Sequence, residues 1–312
     1  MSVPFFFHIG NTGGLSFARA AADMRNAARI LFINDAADLD RARPRLAPGA
    51  VDRIAFAFGH AIYLAEPWIA DRYEMTMLRW PQAVFCANSI YAHEHPPYAL
   101  PEIHGIADLH QRLRAYLDHL ERGGEANLKT TAHWLAERHT LDAGPTPKRT
   151  EPIALVDPCD ELLRDRYHLV AITELMDESL FLYQAAFPDR PVTPWVRRRE
   201  NSQRVDPFDL PPDIVARFER TSAADVTLYL RARKRLLAQF TDLWRTRPDL
   251  RVRYLDYKAS MILTDIVLMK RFAAADPLFF PPELPLEELR AAAVSRLDRA
   301  HEIRTNIMRA YG

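Results

Sequence analysis

The stretch VPFFFHIGNTGGLSFARAAADM, residues 3–24, decides the fold. An apolar run enters a loop carrying Gly10, Thr12, Gly13, Gly14 and Ser16, and the loop runs into an alanine-rich amphipathic segment. Strand, glycine loop and helix in that order can cradle a phosphate. The first N–H groups of a helix lack intrahelical acceptors and sit at the positive end of its dipole. The frame GxxxxGK[ST] fails in both spacing and lysine, and Asn11 stands in the middle of the loop. Taken alone, the glycines could equally serve a tight strand-to-helix turn and nothing more.

Working outward, short apolar runs alternate with helical patterns. VPFFFHI (3–9), RILFIND (29–35), VDRIAFAFG (51–59), YEMTMLR (73–79) and YHLVAITE (167–174) read as buried strands, and helices are expected from Ser16 and from Pro81. TPWVRRREN (193–201) is a candidate sixth strand. The alternation predicts an α/β fold: a central parallel sheet with helices on both faces and ligands gathered at the carboxyl ends of the strands. From Pro211 the texture becomes helical, with segments expected at 224–248, 252–276 and 285–312, and DAGPTPKRTEP (142–152) and FFPPELP (279–285) as loops. The division drawn is an α/β domain over 1–248 and a helical extension over 249–312, which either packs on that domain or forms a homodimer surface.

Composition limits the function classes. The 312 residues are 48% hydrophobic and carry 41 Lys+Arg against 41 Asp+Glu, so no global field favours nucleic acid or an anionic membrane, and any anion site must be local. Cys86 and Cys159 lie far apart and outside any zinc or redox spacing. The first apolar run is too short to span a membrane and lacks a basic flank, which leads to the expectation of a cytoplasmic protein without an anchor.

The loop FFFHIGNTGGLSF resembles that of the PAPS-dependent sulfotransferases of the heparan sulfate 2-O-sulfotransferase-like type, whose pattern is F-x-H-I-P-K-T-G-G-T-S. His8, Ile9, Thr12, Gly13, Gly14 and Ser16 match in register, while Gly10, Asn11 and Leu15 replace proline, lysine and threonine. FAFGHAIY (56–63) is similar to the family's glycine–histidine strand end, and YEMTMLRWPQAVFCANSIYAH (73–93) to its TFLRDPVERFLSSYYY segment. ITELMDESLFLYQ (172–184) is similar to its LTERFDESL stretch, RRRENSQ (197–203) to its short Asn/Ser segment, and SAADVTLYLRARKRLLAQ (222–239) to its terminal D-x-x-LY helix. The blocks keep the family's order.

The resemblance implies a three-layer sandwich of the P-loop NTPase-like sulfotransferase type. It also implies transfer of a sulfuryl group from 3′-phosphoadenosine 5′-phosphosulfate (PAPS) to a hydroxyl of a sugar-containing or small-molecule acceptor, with no metal required. Donor-binding residues would be Gly10, Asn11, Thr12, Gly13, Gly14, Leu15 and Ser16, through loop N–H groups and the hydroxyls of Thr12 and Ser16. Arg79 would hold the 3′-phosphate with its planar, permanent charge. His60 would be the base, since an imidazole titrates near working pH. The alternative reading is a nucleotide- or glycan-binding protein that no longer transfers.

The departures are specific. Trp80, Val84 and Ala87 replace the family's aspartate, arginine and serine. Asn88 or Ser89 is then the candidate for the 3′-phosphate contact, although Ser89 points roughly 200° away from position 87 on an ideal helix. Asn11 is the catalytic position on which activity turns, because losing one preorganised donor at a developing charge costs about 10²–10³ in rate. Glu174 and Ser179 are read as shaping the site floor, or else as part of a helix start near Asp177 and Glu178. Asn201 and Ser202 either touch the nucleotide or end a strand. HEHPP (93–97) carries a His-x-His without a readable third ligand, and LRARKRLL (230–237) is a basic run that is either a solvated face or an acceptor contact.

Overall fold

A computed structural model of the chain describes residues 2–22, 27–94, 100–122, 131–140, 152–190 and 209–254, with the single positions 192, 207 and 257. Five strands form one parallel sheet: β1 (Val3–Phe7), β2 (Ile30–Phe32), β3 (Phe56–Gly59), β4 (Arg72–Leu78) and β5 (Leu169–Ile172), in the order β2-β3-β1-β4-β5. Four fall inside the expected apolar runs, and β4 begins one residue before its run, at Arg72. Every residue of β3 and β5 is buried, the signature of parallel strands covered on both faces. The candidate strand at 193–201 lies outside the described residues.

The helices named in chain order are α1 (Gly14–Ala21), α2 (Ala36–Leu46), α3 (Pro81–Glu94), α4 (Leu109–Glu121), α5 (Thr131–Thr140), α6 (Val156–Asp165), α7 (Met176–Ala186), α8 (Pro212–Thr221) and α9 (Ala223–Thr246), and residues 248–254 are helical as well. Alternation along β1 assigns them to layers. Phe6 stacks on Phe17 of α1 at 5.2 Å, and Phe17 meets Tyr183 of α7 at 6.0 Å. Phe7 points the other way, with its ring 6.4 Å from Trp134 of α5 and 6.1 Å from Tyr63 in the short turn Ile62–Trp68. Successive side chains of a strand face opposite ways, so the helices cover both faces of the sheet.

The main core surrounds this sheet. A second apolar cluster joins Phe85 and Cys86 of α3 to Leu113, Tyr116 and Leu117 of α4 and to Ile214 and Phe218 of α8. Across its rim Arg217 pairs with Asp118 at 2.5 Å and with Glu121 at 2.7 Å. The chain folds back past the end of α9, where Phe240 and Trp244 meet Tyr254 at 5.6 and 5.7 Å. The helices expected at 252–276 and 285–312 lie outside the described residues except at 252–254 and 257, which are helical.

β1 occupies the topological switch point. From β1 the chain moves to one side to build β2 and β3, then crosses to build β4 and β5 on the other. At such a point the loops leaving the carboxyl ends of neighbouring strands diverge and open a crevice. The glycine loop follows β1, His60 follows β3, and Arg79 follows β4.

Candidate functional site

The loop between β1 and α1 contains two left-handed residues, Asn11 at φ 59° and Gly13 at φ 79°. Asparagine is among the side chains that tolerate this region best, so Asn11 suits the turn as well as any non-glycine residue can. Gly13 caps α1, which begins at Gly14 rather than at the expected Ser16. The shift changes the donor set. The N–H of Ser16 donates to Gly13 O at 3.0 Å and that of Phe17 to the same oxygen at 3.3 Å, so the first-turn donors without an intrahelical acceptor are Gly14 and Leu15. Leu15 turns its side chain outward, and any part it plays is through its backbone.

Thr12 departs from expectation more sharply. Its side chain is fully buried, and the hydroxyl donates to Ile9 O at 2.8 Å, so its proton points into the turn rather than toward an anion. The Thr12 carbonyl accepts a hydrogen bond from the hydroxyl of Thr173, which also lies 3.1 Å from Leu78 O. Thr173 follows β5 directly and ties the loop to the ends of β4 and β5. Gly14 is the most tightly packed glycine of the loop: a Cβ there would lie 2.4 Å from the His8 ring and 2.9 Å from Phe6.

His60 is held on three sides. Its Nδ1 lies 2.6 Å from His8 O, an acceptor only, which fixes the tautomer with the proton on Nδ1 and a lone pair on Nε2. Its ring stacks on His8 at 4.5 Å and on Trp134 at 5.4 Å. Burial lowers the His60 pKa, while the bond to the His8 carbonyl works in the opposite direction. The neutral, basic form is therefore the resting form near pH 7. Trp134 also lies over Gly10, where a Cβ would meet its ring at 3.7 Å.

Burial, reinforced by the neighbouring His60, pushes the His8 pKa down to about 3. The unfolded chain takes up this proton near pH 6.5 and the folded chain only near pH 3, so His8 contributes stability above pH 6.5 that is lost on acidification. Asp225, whose carboxyl burial raises to about 6, acts with the opposite sign between its unfolded and folded values, and comparison with a His8 variant cancels it. Unfolding titrations of wild type and His8→Phe between pH 7 and 4.5 should show the wild type losing on the order of 2 kcal/mol more, allowing for the part of the ring that solvent reaches. Parallel curves would remove His8 from this role.

Arg79 donates from Nη1 to Asn11 O at 3.1 Å, so its guanidinium lies against the glycine loop. Asn11 Nδ2 in turn donates to Asn88 Oδ1 at 2.7 Å, and Asn88 shares a hydrogen bond with the buried Tyr116 of α4. Ser89 does not reach the loop: it is fully buried, and its hydroxyl donates to Cys86 O at 2.8 Å. Of the two candidates on α3, the structure brings Asn88 to the site and turns Ser89 into the interior.

Glu174 is half-buried and joins three of the sequence blocks. Its carboxylate accepts from Trp80 N at 3.0 Å and from the hydroxyl of Tyr229 at 3.0 Å. Burial raises its pKa, offset in part by the bond from Trp80 and by the nearby charge of Arg79. Ser179 is fully buried, accepts from Ile172 N at 3.0 Å and donates to Leu175 O at 2.7 Å, which closes the junction between β5 and α7. Asp177 and Glu178 lie in the first turn of α7. Asp225 of α9 accepts from the N–H groups of Thr131 at 3.2 Å and Ala132 at 2.9 Å, capping α5 and thereby placing Trp134.

Sequence reasoning missed Trp134, Thr173 and Tyr116. Thr173 stands beside Glu174 in a block already singled out, whereas Trp134 sits in a segment without a motif. Arg197, Arg198, Arg199, Asn201, Ser202 and His95 lie outside the described residues. Arg231 pairs with Asp157 and Asp160, and Arg235 with Asp160, so this part of the basic run is engaged with α6. At the amino end of the sheet, Arg72 and Arg166 are paired with Glu66 and Glu74.

Comparison with protein-family models gives no match, and a search of curated proteins likewise returns none. Among the described residues no helix is long and apolar enough to cross a membrane, and no group of three His, Cys, Asp or Glu side chains could hold a metal ion.

Proposed function

We propose that the protein transfers a sulfuryl group from PAPS to a hydroxyl of a sugar-containing or small-molecule acceptor in the cytoplasm, on a P-loop-like sulfotransferase scaffold. The observation that carries this reading is the convergence of the glycine loop, His60 and Arg79 at the carboxyl ends of the adjacent strands β1, β3 and β4. A loop with open first-turn N–H groups, a guanidinium against it and an imidazole with a fixed basic nitrogen supply the three things the reaction needs. These are an anion cradle, charge to stabilise the leaving phosphate, and a proton acceptor.

In the transfer step the acceptor oxygen bonds to sulfur as its proton passes to His60 Nε2. The bond from sulfur to the bridging oxygen breaks, and its electron pair leaves with adenosine 3′,5′-bisphosphate. Catalysis of this kind is mostly positioning and electrostatics, by analogy with phosphoryl transfer. The stack of His8, His60 and Trp134 holds the base in orientation, and the low pKa of His8 keeps it from competing for the proton.

Asn11 favours a second reading, a binding protein that keeps the nucleotide without transferring it. Its amide is engaged by Asn88 and offers the leaving group no charge. Both readings require the bisphosphate to bind. At about a hundred times its Kd it should add about 2.7 kcal/mol of stability, seen as a rise in melting temperature of several degrees, whereas ATP at the same concentration should add little. Stabilisation by ATP and not by the bisphosphate would refute both.

A further inference from the structure

This inference rests on the sulfotransferase reading and concerns which end of the donor the Arg79 guanidinium beside the loop serves. We propose that Arg79 serves the 5′-phosphosulfate rather than the 3′-phosphate, and so supplies the cation that Asn11 does not. The resemblance assigns Arg79 to the 3′-phosphate, but its Nη1 lies 3.1 Å from Asn11 O, in the middle of the loop that would wrap the 5′-phosphate. Asn11 holds a left-handed conformation that aims its carbonyl at Arg79, while its side chain is tied to Asn88. A guanidinium anchored on that carbonyl carries a permanent charge to the place where negative charge builds up when the bond from sulfur to oxygen breaks.

The helix on the other side supports the same assignment. Ala87 has no polar side-chain atom, Asn88 is held by Asn11 and Tyr116, and Ser89 is buried against Cys86 O. Trp80, next to Arg79, is packed inward with its ring 5.3 Å from Tyr229, and the carboxylate on which the charge of Arg79 acts is that of Glu174, which is itself taken up by Trp80 N and the Tyr229 hydroxyl. The α3 segment expected to meet a 3′-phosphate is thus engaged in holding the loop and the core. The arginine expected to join it has turned toward the 5′ side.

Calorimetric titration with adenosine 3′,5′-bisphosphate and adenosine 5′-monophosphate separates the two ends of the donor without any knowledge of the acceptor. Arg79→Ala should weaken both ligands by the same factor, about 10- to 100-fold, so that the ratio of their affinities keeps its wild-type value. Arg79→Lys should recover part of the loss for both. If Arg79→Ala weakens the bisphosphate, spares the monophosphate and collapses the ratio, Arg79 reads the 3′-phosphate and the proposal fails; unchanged affinity for both also overturns it. Arg79→Gln, with its fold checked by near-ultraviolet circular dichroism, carries the same comparison if the alanine variant does not fold. A wild-type protein that binds neither ligand overturns the sulfotransferase reading itself, an outcome distinct from either result with the variants.

Discussion

Replacing His60 with alanine should lower transfer of radiolabelled sulfuryl groups from PAPS to a panel of hydroxyl acceptors by about 10²- to 10⁴-fold, with bisphosphate affinity unchanged within about threefold. The split follows from geometry. Nδ1 is engaged by the His8 carbonyl, so the nitrogen left for chemistry is Nε2, and neither nitrogen is asked to hold the nucleotide. His60→Gln keeps a polar side chain yet carries no base and should be as impaired as alanine. Label transfer indifferent to both variants would remove His60 as the base. If the wild type transfers nothing while Asn11→Lys does, the binding-protein reading prevails. That variant replaces the 2.7 Å amide bond to Asn88 and puts lysine into a left-handed conformation that asparagine tolerates better, so it should also be less stable.

The largest effect on folding is expected one residue earlier. Gly59 ends β3 at φ 146°, and a Cβ there would lie 1.9 Å from the Ile33 carbonyl oxygen. That oxygen accepts from Ala61 N at 3.1 Å, and Gly59 O accepts from His8 N at 3.1 Å, so the contact sits where three chain segments cross. Strained φ and a collision with backbone add up. Gly59→Ala should cost at least about 3–4 kcal/mol in denaturant unfolding and leave little folded protein at 37 °C. A loss below about 1 kcal/mol would mean that the end of β2 yields easily, and His60 would then not be rigidly placed.

The parallel sheet could be read from the sequence because buried strands leave uninterrupted apolar runs, and FAFG and LVAI are buried at every position. The placing of the glycine loop, His60 and Arg79 at strand ends followed from the same runs. What stayed hidden depends on direction rather than position. Gly13 and Gly14 look equivalent in sequence, but one is a left-handed cap and the other the first residue of α1, which moved the helix start and the donor set. Thr12, Asn88 and Ser89 each carry a polar group, and only the fold decides that Asn88 meets Asn11 while the other two bond to nearby carbonyls. Trp134 was illegible because its place depends on a cap supplied by Asp225, far along the chain.

The three blocks joined by Glu174 have a consequence for how the molecule comes into being. Trp80 and Glu174 are 94 residues apart, Thr131 and Asp225 another 94, and Glu174 and Tyr229 are separated by 55. Contacts of such range close large loops and form late. A chain emerging from the ribosome can lay down all five strands by residue 172, yet it cannot fix α5 or Glu174 until α9 is free to dock. The crevice is therefore among the last parts of the protein to mature, and a nascent chain halted before residue 225 would carry the glycine loop and His60 without Asp225, the cap of the helix that sets Trp134 against His60.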